Sequence, residues 1–279
     1  MQAVPEQFDH PADRAEFRRP THRAGVELYR AHIVRHSFEP HTHDAYGLGA
    51  IASGAERFRY RGSDHLAAAG SVVLMSPDEL HTGRAETEAG WGYRMLYLDA
   101  ELLQAVTGDA AWHFDTAVLN DAALAAQVSQ RLGALWQSAD DLAFDSGLLE
   151  LLALLRPRVR PAARSVGVRS AHAQPRFSAV IDYLQAHLAE PLRLEQLAAV
   201  AGLSPFHFQR SFKAAHGATP HQMLMALRLL QAKQRLARGD RPADVAAAVG
   251  LADQAHLTRA FLQRYGVTPA RYARQVGGR

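Results

Sequence analysis

Cysteine is absent from the 279 residues. That excludes disulfides, thiolate metal sites and cysteine nucleophiles, and it fits a reducing compartment. Long apolar runs are missing too. The richest stretch, LLELLALL at 148–155, is interrupted by Glu150 and is too short to cross a bilayer. The first twenty residues, MQAVPEQFDHPADRAEFRRP, hold no apolar segment of the secretory kind, so a cytoplasmic location is expected. One stretch is strongly one-sided: residues 156–172 carry five Arg and no Asp or Glu.

The overall charge of +3 hides an asymmetry. Residues 1–155 hold 12 Lys/Arg against 22 Asp/Glu, whereas residues 173–279 hold 14 against 6. A basic final third on an acidic body points to a polyanionic partner, of which nucleic acid is the commonest.

The length suits two domains, each with its own core. Residues 1–24 are polar and aperiodic and are expected to form a flexible arm. From 25 to 99 the pattern is that of strands. ERFRYRG (56–62) alternates Phe58 and Tyr60 with arginines, SVVLMSP (71–77) is a short β-branched run, and WGYRMLYL (91–98) is rich in aromatics. Short strands with frequent turn signals predict an antiparallel barrel or sandwich. Over 100–155 the period becomes helical. Leu124, Val128, Leu132, Leu135 and Trp136 form one stripe, which predicts helices that pack on the barrel or form a dimerisation surface. Residues 156–175 read as a basic linker, and 176–279 as an all-α domain.

Within that last domain the chain nearly repeats itself. GLSPFHFQRSFKAAHGATP (202–220) and GLADQAHLTRAFLQRYGVTP (250–269) share Gly202/Gly250, Arg210/Arg259, Phe212/Phe261, Gly217/Gly266 and Thr219/Thr268. Two copies are too few for a solenoid and predict two small modules with one job. Each has a short alanine-rich helix, LEQLAAVAG or PADVAAAVG, that ends at a glycine. A capped second helix follows, with Ser204 and Pro205 opening one and Asp253 the other. Helix, tight turn, capped helix is the helix-turn-helix arrangement. Phe208, Phe212 and Ala215 are expected to face the first module's core, and Leu257, Phe261 and Leu262 the second's. Phe206, Gln209, Arg210 and Lys213 then point outward in the first copy, and Gln254, His256, Thr258 and Arg259 in the second. Gln reads adenine, Arg reads guanine, and Thr or an aromatic contacts the thymine methyl. A helix from Pro220 to about Arg238 is roughly 27 Å long. That length suits two reading helices spaced about one DNA turn, roughly 34–36 Å, apart.

The stretch from about 176 to 275 resembles the AraC/XylS-type transcriptional regulators. The resemblance rests on PLRLEQLAAVAGLSPFHFQRSFK, HGATPHQM, RLLQAKQRLARG, VAAAVGLADQAHLTRAF and YGVTPARY. It implies an α+β multidomain protein: an N-terminal antiparallel, cupin-like barrel with packed helices, then an all-α pair of helix-turn-helix modules joined by a linker helix. It also implies base contacts from Phe206, Gln209 and Arg210, and from Gln254, Ala255, His256, Thr258 and Arg259. HTHDAYGLGAIASG (41–54) and GSVVLMSPDELH (70–81) are similar to the two short motifs of cupin barrels. His41 and His43 lie on one face of an extended strand, and His81 on a later strand could complete a three-nitrogen set for a divalent metal. Gly47 stands where cupin enzymes place a Glu, which argues against a four-ligand enzyme site. Tyr46, Trp91 and Tyr93 are expected to line an effector pocket with the histidines.

The function that follows is a non-enzymatic, effector-controlled regulator of transcription. Its expected partners are double-stranded DNA, a small effector, a second copy of itself and, where it activates, RNA polymerase. A metal-dependent cupin enzyme with an accessory nucleic-acid-binding domain is the alternative, disfavoured by Gly47 and the paired reading helices. An alkyl-transferring DNA-repair fusion would need a cysteine, and none exists.

Overall fold

The computed structural model describes residues 8, 10–162 and 175–277. Its first half is built on strands β1 (Arg14–Arg18), β2 (Val26–Ile33), β3 (Ser37–His41), β4 (Ala45–Tyr60), β5 (Ser63–Ala68), β6 (Ser71–Met75), β7 (His81–Ala85) and β8 (Trp91–Asp99). Short β9 (Ala111–His113) and β10 (Val118–Asn120) follow. Every pairing is antiparallel. One layer runs β1-β2-β8-β4-β6-β10; β3, β7 and β5 make the other through β4. The ladder is barrel-like but not closed into a ring, since β1 and β10 end it.

Strand β4 belongs to both layers because it bends. Residues 45–54 pair with β8, the register shifts between Ile51 and Ser53, and residues 55–60 pair with β5. A bulge of this kind sharpens twist and turns a strand from one layer to the next. The space between the layers becomes a cavity.

Helices α1 (Ala100–Thr107), α2 (Ala122–Gln137) and α3 (Asp141–Leu155) cover the outer face of the first layer. Leu124, Val128, Leu132 and Leu135 pack with Leu28, Leu48, Val72 and Leu96 in one buried cluster. Of the two expected alternatives the stripe takes packing on the barrel, so its buried face is not free to serve as a dimerisation surface. Only Trp136 at its end is half-buried, with the Arg30 guanidinium 4.4 Å from its ring.

Two boundaries differ from the sequence reading. Residues 14–18 of the expected flexible arm are strand β1, with Phe17 in the core, and Phe8 is buried as well. The supposed linker begins with a 3-10 turn, Arg156–Arg158, and a strand β11 (Arg160–Ala162) paired to β9. Arg156 binds both oxygens of Asp109 at 2.9 Å, and Arg158 binds Asp121 at 3.0 Å. The basic run is thus partly spent on the acidic body. Residues 163–174 of that linker lie outside the described residues.

The second half holds α4 (Pro175–Ala186), α5 (Leu194–Val200), α6 (Pro205–His216), α7 (Pro220–Ala237), α8 (Pro242–Ala248), α9 (Gln254–Tyr265) and α10 (Pro269–Val276). The first module keeps its own core: Phe177, Val180, Leu184, Leu197, Phe208, Phe212 and Leu224. The second does not. Leu236, Val245, Leu257, Phe261, Tyr265 and Tyr272 join one cluster with Phe17, Tyr29, Phe38, Trp91 and Met95 of the strands. The expected split into two domains with separate cores fails at this module, which shares its core with the barrel.

Candidate DNA-reading faces and effector pocket

The duplicated segments fold alike. Helices α5 and α8 are offset by 48 residues, α6 and α9 by 49, so the extra residue falls in the second turn. Gly202 and Gly250 open those turns at φ +65° and +73°, in the left-handed region that only glycine occupies cheaply. Ser204 Oγ accepts from the His207 amide at 3.4 Å, and Asp253 Oδ1 from the His256 amide at 2.7 Å. Both reading helices are thereby N-capped. The shared Thr-Pro has the same use in each copy. Thr219 caps α7 and Thr268 caps α10, each with proline in the first helical turn, where its missing N–H costs nothing.

On α6 the side chains of Phe206, Gln209, Arg210 and Lys213 are exposed, and Phe206 is 71% open. Ala215, expected inside, is exposed as well; Phe208 and Phe212 carry that helix's core contact, with the half-buried His216 ring against Phe177 and Phe212. On α9, Gln254, Ala255 and Arg259 are exposed, while His256 and Thr258 are half-buried. The Thr258 hydroxyl donates to the Gln254 carbonyl at 2.8 Å. Leu257 and Phe261 are fully inside and Leu262 partly so.

The cavity between the strand layers is lined by His41, His43, Glu56, His81, Tyr93 and Tyr97, with Tyr29, Met75 and Met95 among its other walls. Arg264 and Tyr265 of α9 complete the lining, so the second reading module forms part of the wall. Arg264 Nε donates to the Pro40 carbonyl at 3.2 Å, fastening α9 to β3.

The three histidines expected to act together do converge. Their ring centroids lie 4.3–5.2 Å apart, and one ring nitrogen of each falls within 4.8 Å of the others. Burial pushes the His41 and His43 imidazoles well below their ordinary range, and brings His81 down to about 4. All three are neutral near pH 7. Tyr93 lines the cavity as expected. Tyr46 and Trp91 do not: Tyr46 is fully buried in the other cluster, its hydroxyl accepting from the Trp112 amide at 3.2 Å. Trp91 stands behind the wall, stacked on Tyr93 at 5.7 Å.

Sequence reasoning missed Tyr29, Glu56, Met95, Tyr97, Arg264 and Tyr265. Part of the signal was present. Tyr93, Met95 and Tyr97 recur at period two on β8, and Glu56 shares the inward parity of Phe58 and Tyr60 on β4. Glu56 is buried with no hydrogen bond or ion pair among the described residues, and burial raises its carboxyl to about 8. Arg264 and Tyr265 gave no such signal, because their place depends on how the two halves dock.

Comparison with known proteins agrees with this architecture. The family model for the AraC-like ligand binding domain matches residues 23–152, and that for a helix-turn-helix domain matches residues 197–275. The chain belongs to the AraC family of transcriptional regulators. It is similar to the HTH-type transcriptional regulator YbfI of Bacillus subtilis, 27% identical over 83% of this chain and 86% of that protein. The MmsAB operon regulatory protein of Pseudomonas aeruginosa is 39% identical over 34% of this chain and 31% of its own length. Among solved structures, an apo single-residue variant of ToxT from Vibrio cholerae superposes with a TM-score of 0.55 at 10% identity, covering 91% of this chain and 98% of its own; this shows the fold. Like its AraC-family relatives, the chain pairs a ligand-binding domain with a DNA-binding one. Among the described residues no helix is long and apolar enough to cross a membrane.

Proposed function

We propose that this chain is a one-component cytoplasmic regulator, without catalytic activity, whose cavity takes a small effector and whose occupancy repositions the second reading module. The observation that carries this reading is the composition of the cavity wall. Arg264 and Tyr265 lie at the far end of the same helix that presents Gln254, Ala255 and Arg259 to solvent. A ligand that binds more tightly with α9 on the barrel than off it shifts the module by that difference in affinity, and by no more.

Phe206, Gln209, Arg210 and Lys213 read one half of the operator, and Gln254, Ala255, His256, Thr258 and Arg259 the other. Pairing of two chains would multiply affinity on repeated sites, through a surface other than the buried stripe of α2. RNA polymerase is the further partner where the outcome is activation.

Mapping of chromosomal sites occupied by the full-length protein tests the reading. Discrete sites with two short boxes about one helical turn apart are expected. Uniform, sequence-independent occupancy would overturn it.

A further inference from the structure

We propose that the effector is a divalent transition-metal ion, held by Nε2 of His41, His43 and His81 and covered by Tyr265 of the DNA-binding half. This rests on the reading of the cavity as the effector site and names what that site takes.

Four observations carry it. First, His41 Nδ1 donates to the Glu39 carbonyl at 2.8 Å, and His81 Nδ1 to the Glu79 carbonyl at 3.0 Å. Each imidazole thus reaches back two residues to its own backbone. The proton is fixed on Nδ1, and Nε2 is left with a free lone pair. Metal-bound histidines are oriented by outer contacts of this type, which also raise ligand basicity. Second, His43 Nε2 is buried and has no hydrogen-bond partner. A buried nitrogen left unsatisfied costs about 1–3 kcal/mol, and a cation in the cavity would remove that cost. The Tyr265 hydroxyl is buried and unpartnered as well, and its ring centroid lies 6.0 Å from His41 and 6.3 Å from His43.

Third, the void is small, about 40 Å³. An apolar cavity of roughly 150 Å³ is what benzene occupies, whereas one water needs about 10–15 Å³. An ion with a water or two fits this void, and an organic ring does not. Fourth, the charges permit it. Glu56 lines the same cavity, Arg264 is engaged with the Pro40 carbonyl, and nearby Lys233 is already paired with Glu27. Three nitrogens with no oxygen ligand favour zinc, nickel, copper or iron over magnesium or calcium.

The second reading helix then senses the ion directly. Tyr265 belongs to α9, so a filled site gives that helix a reason to remain docked that an empty site lacks.

Full-length protein is stripped with a chelator and titrated with Zn²⁺ and Co²⁺, with Mg²⁺ as control. One equivalent is expected, with Co²⁺ giving the visible absorption of a low-coordinate nitrogen site. His43→Gln, and separately His41→Gln, should weaken Zn²⁺ binding by more than about 100-fold, beyond what loss of an outer-shell partner produces. Far-UV circular dichroism confirms that each variant is folded. Wild-type protein that takes up neither ion overturns the proposal whatever the variants do, as does uptake that both histidine variants retain. Affinity for a duplex selected from a random-sequence pool is then measured with and without Zn²⁺. A change of at least about fivefold in wild type, reduced in Tyr265→Phe, is expected. One bound equivalent with unchanged duplex affinity overturns the ion as effector. Absence of any selectable duplex would instead strike the regulator reading itself.

Discussion

Lys233 of α7 and Glu27 of β2 form a buried ion pair across the junction of the two halves. The pair is deeply embedded. Tyr272 of α10 donates its hydroxyl to Glu27 Oε2 at 2.7 Å, and Arg19 Nε reaches the same oxygen at 2.9 Å. The rings of Phe17, Tyr97, Tyr265 and Tyr272 surround the ammonium at 4.9–5.4 Å. Burial opposes the Glu27 charge, but Lys233 and Arg19 outweigh it and hold the carboxyl below its ordinary value. Glu27→Gln should cost about 3–5 kcal/mol, because it strands a buried ammonium. Replacing both residues by methionine should recover most of that loss. Urea unfolding of the single and double variants checks this; equal destabilisation in both would mean that the pair is not the source.

The reading faces make a separable prediction. Gln209→Ala and Arg259→Ala lie on exposed surfaces of α6 and α9, so folding should be unaffected. Specific binding should weaken by about 1–3 kcal/mol for each lost base contact, and non-specific binding far less. Lys213→Ala, if it meets phosphate, should weaken all sequences alike and lower the salt dependence by about one ion. Fluorescence anisotropy on specific and scrambled duplexes at several salt concentrations distinguishes the two patterns. Full specificity in both the Gln209 and Arg259 variants would show that the faces are misassigned.

Much of this architecture is legible in the sequence because its determinants are local. The repeated Gly, Phe and Thr-Pro are turn, core and cap residues, and each acts within a few positions of itself. The three histidines are legible through strand parity and the two short motifs that carry them. What escapes is decided by docking. The stripe from Leu124 to Leu135 has the same pattern whether it covers a sheet or a second chain, and here it covers the sheet. Phe261 and Phe212 occupy equivalent places in the repeat, yet one joins the barrel's core and the other stays within its own module. Tyr46 and Trp91 are aromatics on strands that flank the cavity, but one faces the helices and the other stands behind Tyr93. Period two gives the parity of a strand, not the identity of the layer that each face meets.

The two turn glycines are equivalent in backbone conformation but not in surroundings. Around Gly202 an added Cβ meets nothing within 4 Å, whereas at Gly250 it would stand 2.7 Å from the Ala189 carbonyl oxygen. Gly202→Ala should therefore cost only the left-handed penalty of about 1–2 kcal/mol. Gly250→Ala should cost clearly more and loosen the second module first. Hydrogen exchange of α9 amides in the two variants tests the difference; equal protection would show that Ala189 yields without effect.

Glu56 makes stability depend on pH in the direction opposite to most carboxylates. Tyr29, Tyr93, Tyr97 and the three imidazoles share its cavity, and burial keeps those phenols protonated and the imidazoles neutral; Arg264 lines it too but is turned to the Pro40 and Ala260 carbonyls, so burial of the carboxylate goes uncompensated. Its carboxyl lies at about 8 when folded, against an ordinary value of 4.5. Below the lower value both states hold the proton, and the group does not bias folding. Between the two values the unfolded chain gives up the proton while the folded chain keeps it, so stability falls as pH rises. Above the higher value the loss is complete and the curve flattens. Glu56→Gln keeps the size and removes the titration. The variant should match wild type near pH 4.5 and exceed it at pH 9, by at most a few kcal/mol. Urea unfolding across that range, with chelator present to keep metal out of the comparison, gives both curves. Parallel curves would place the Glu56 carboxylate in contact with water or with a cation, and would remove it as the uncompensated group of the cavity.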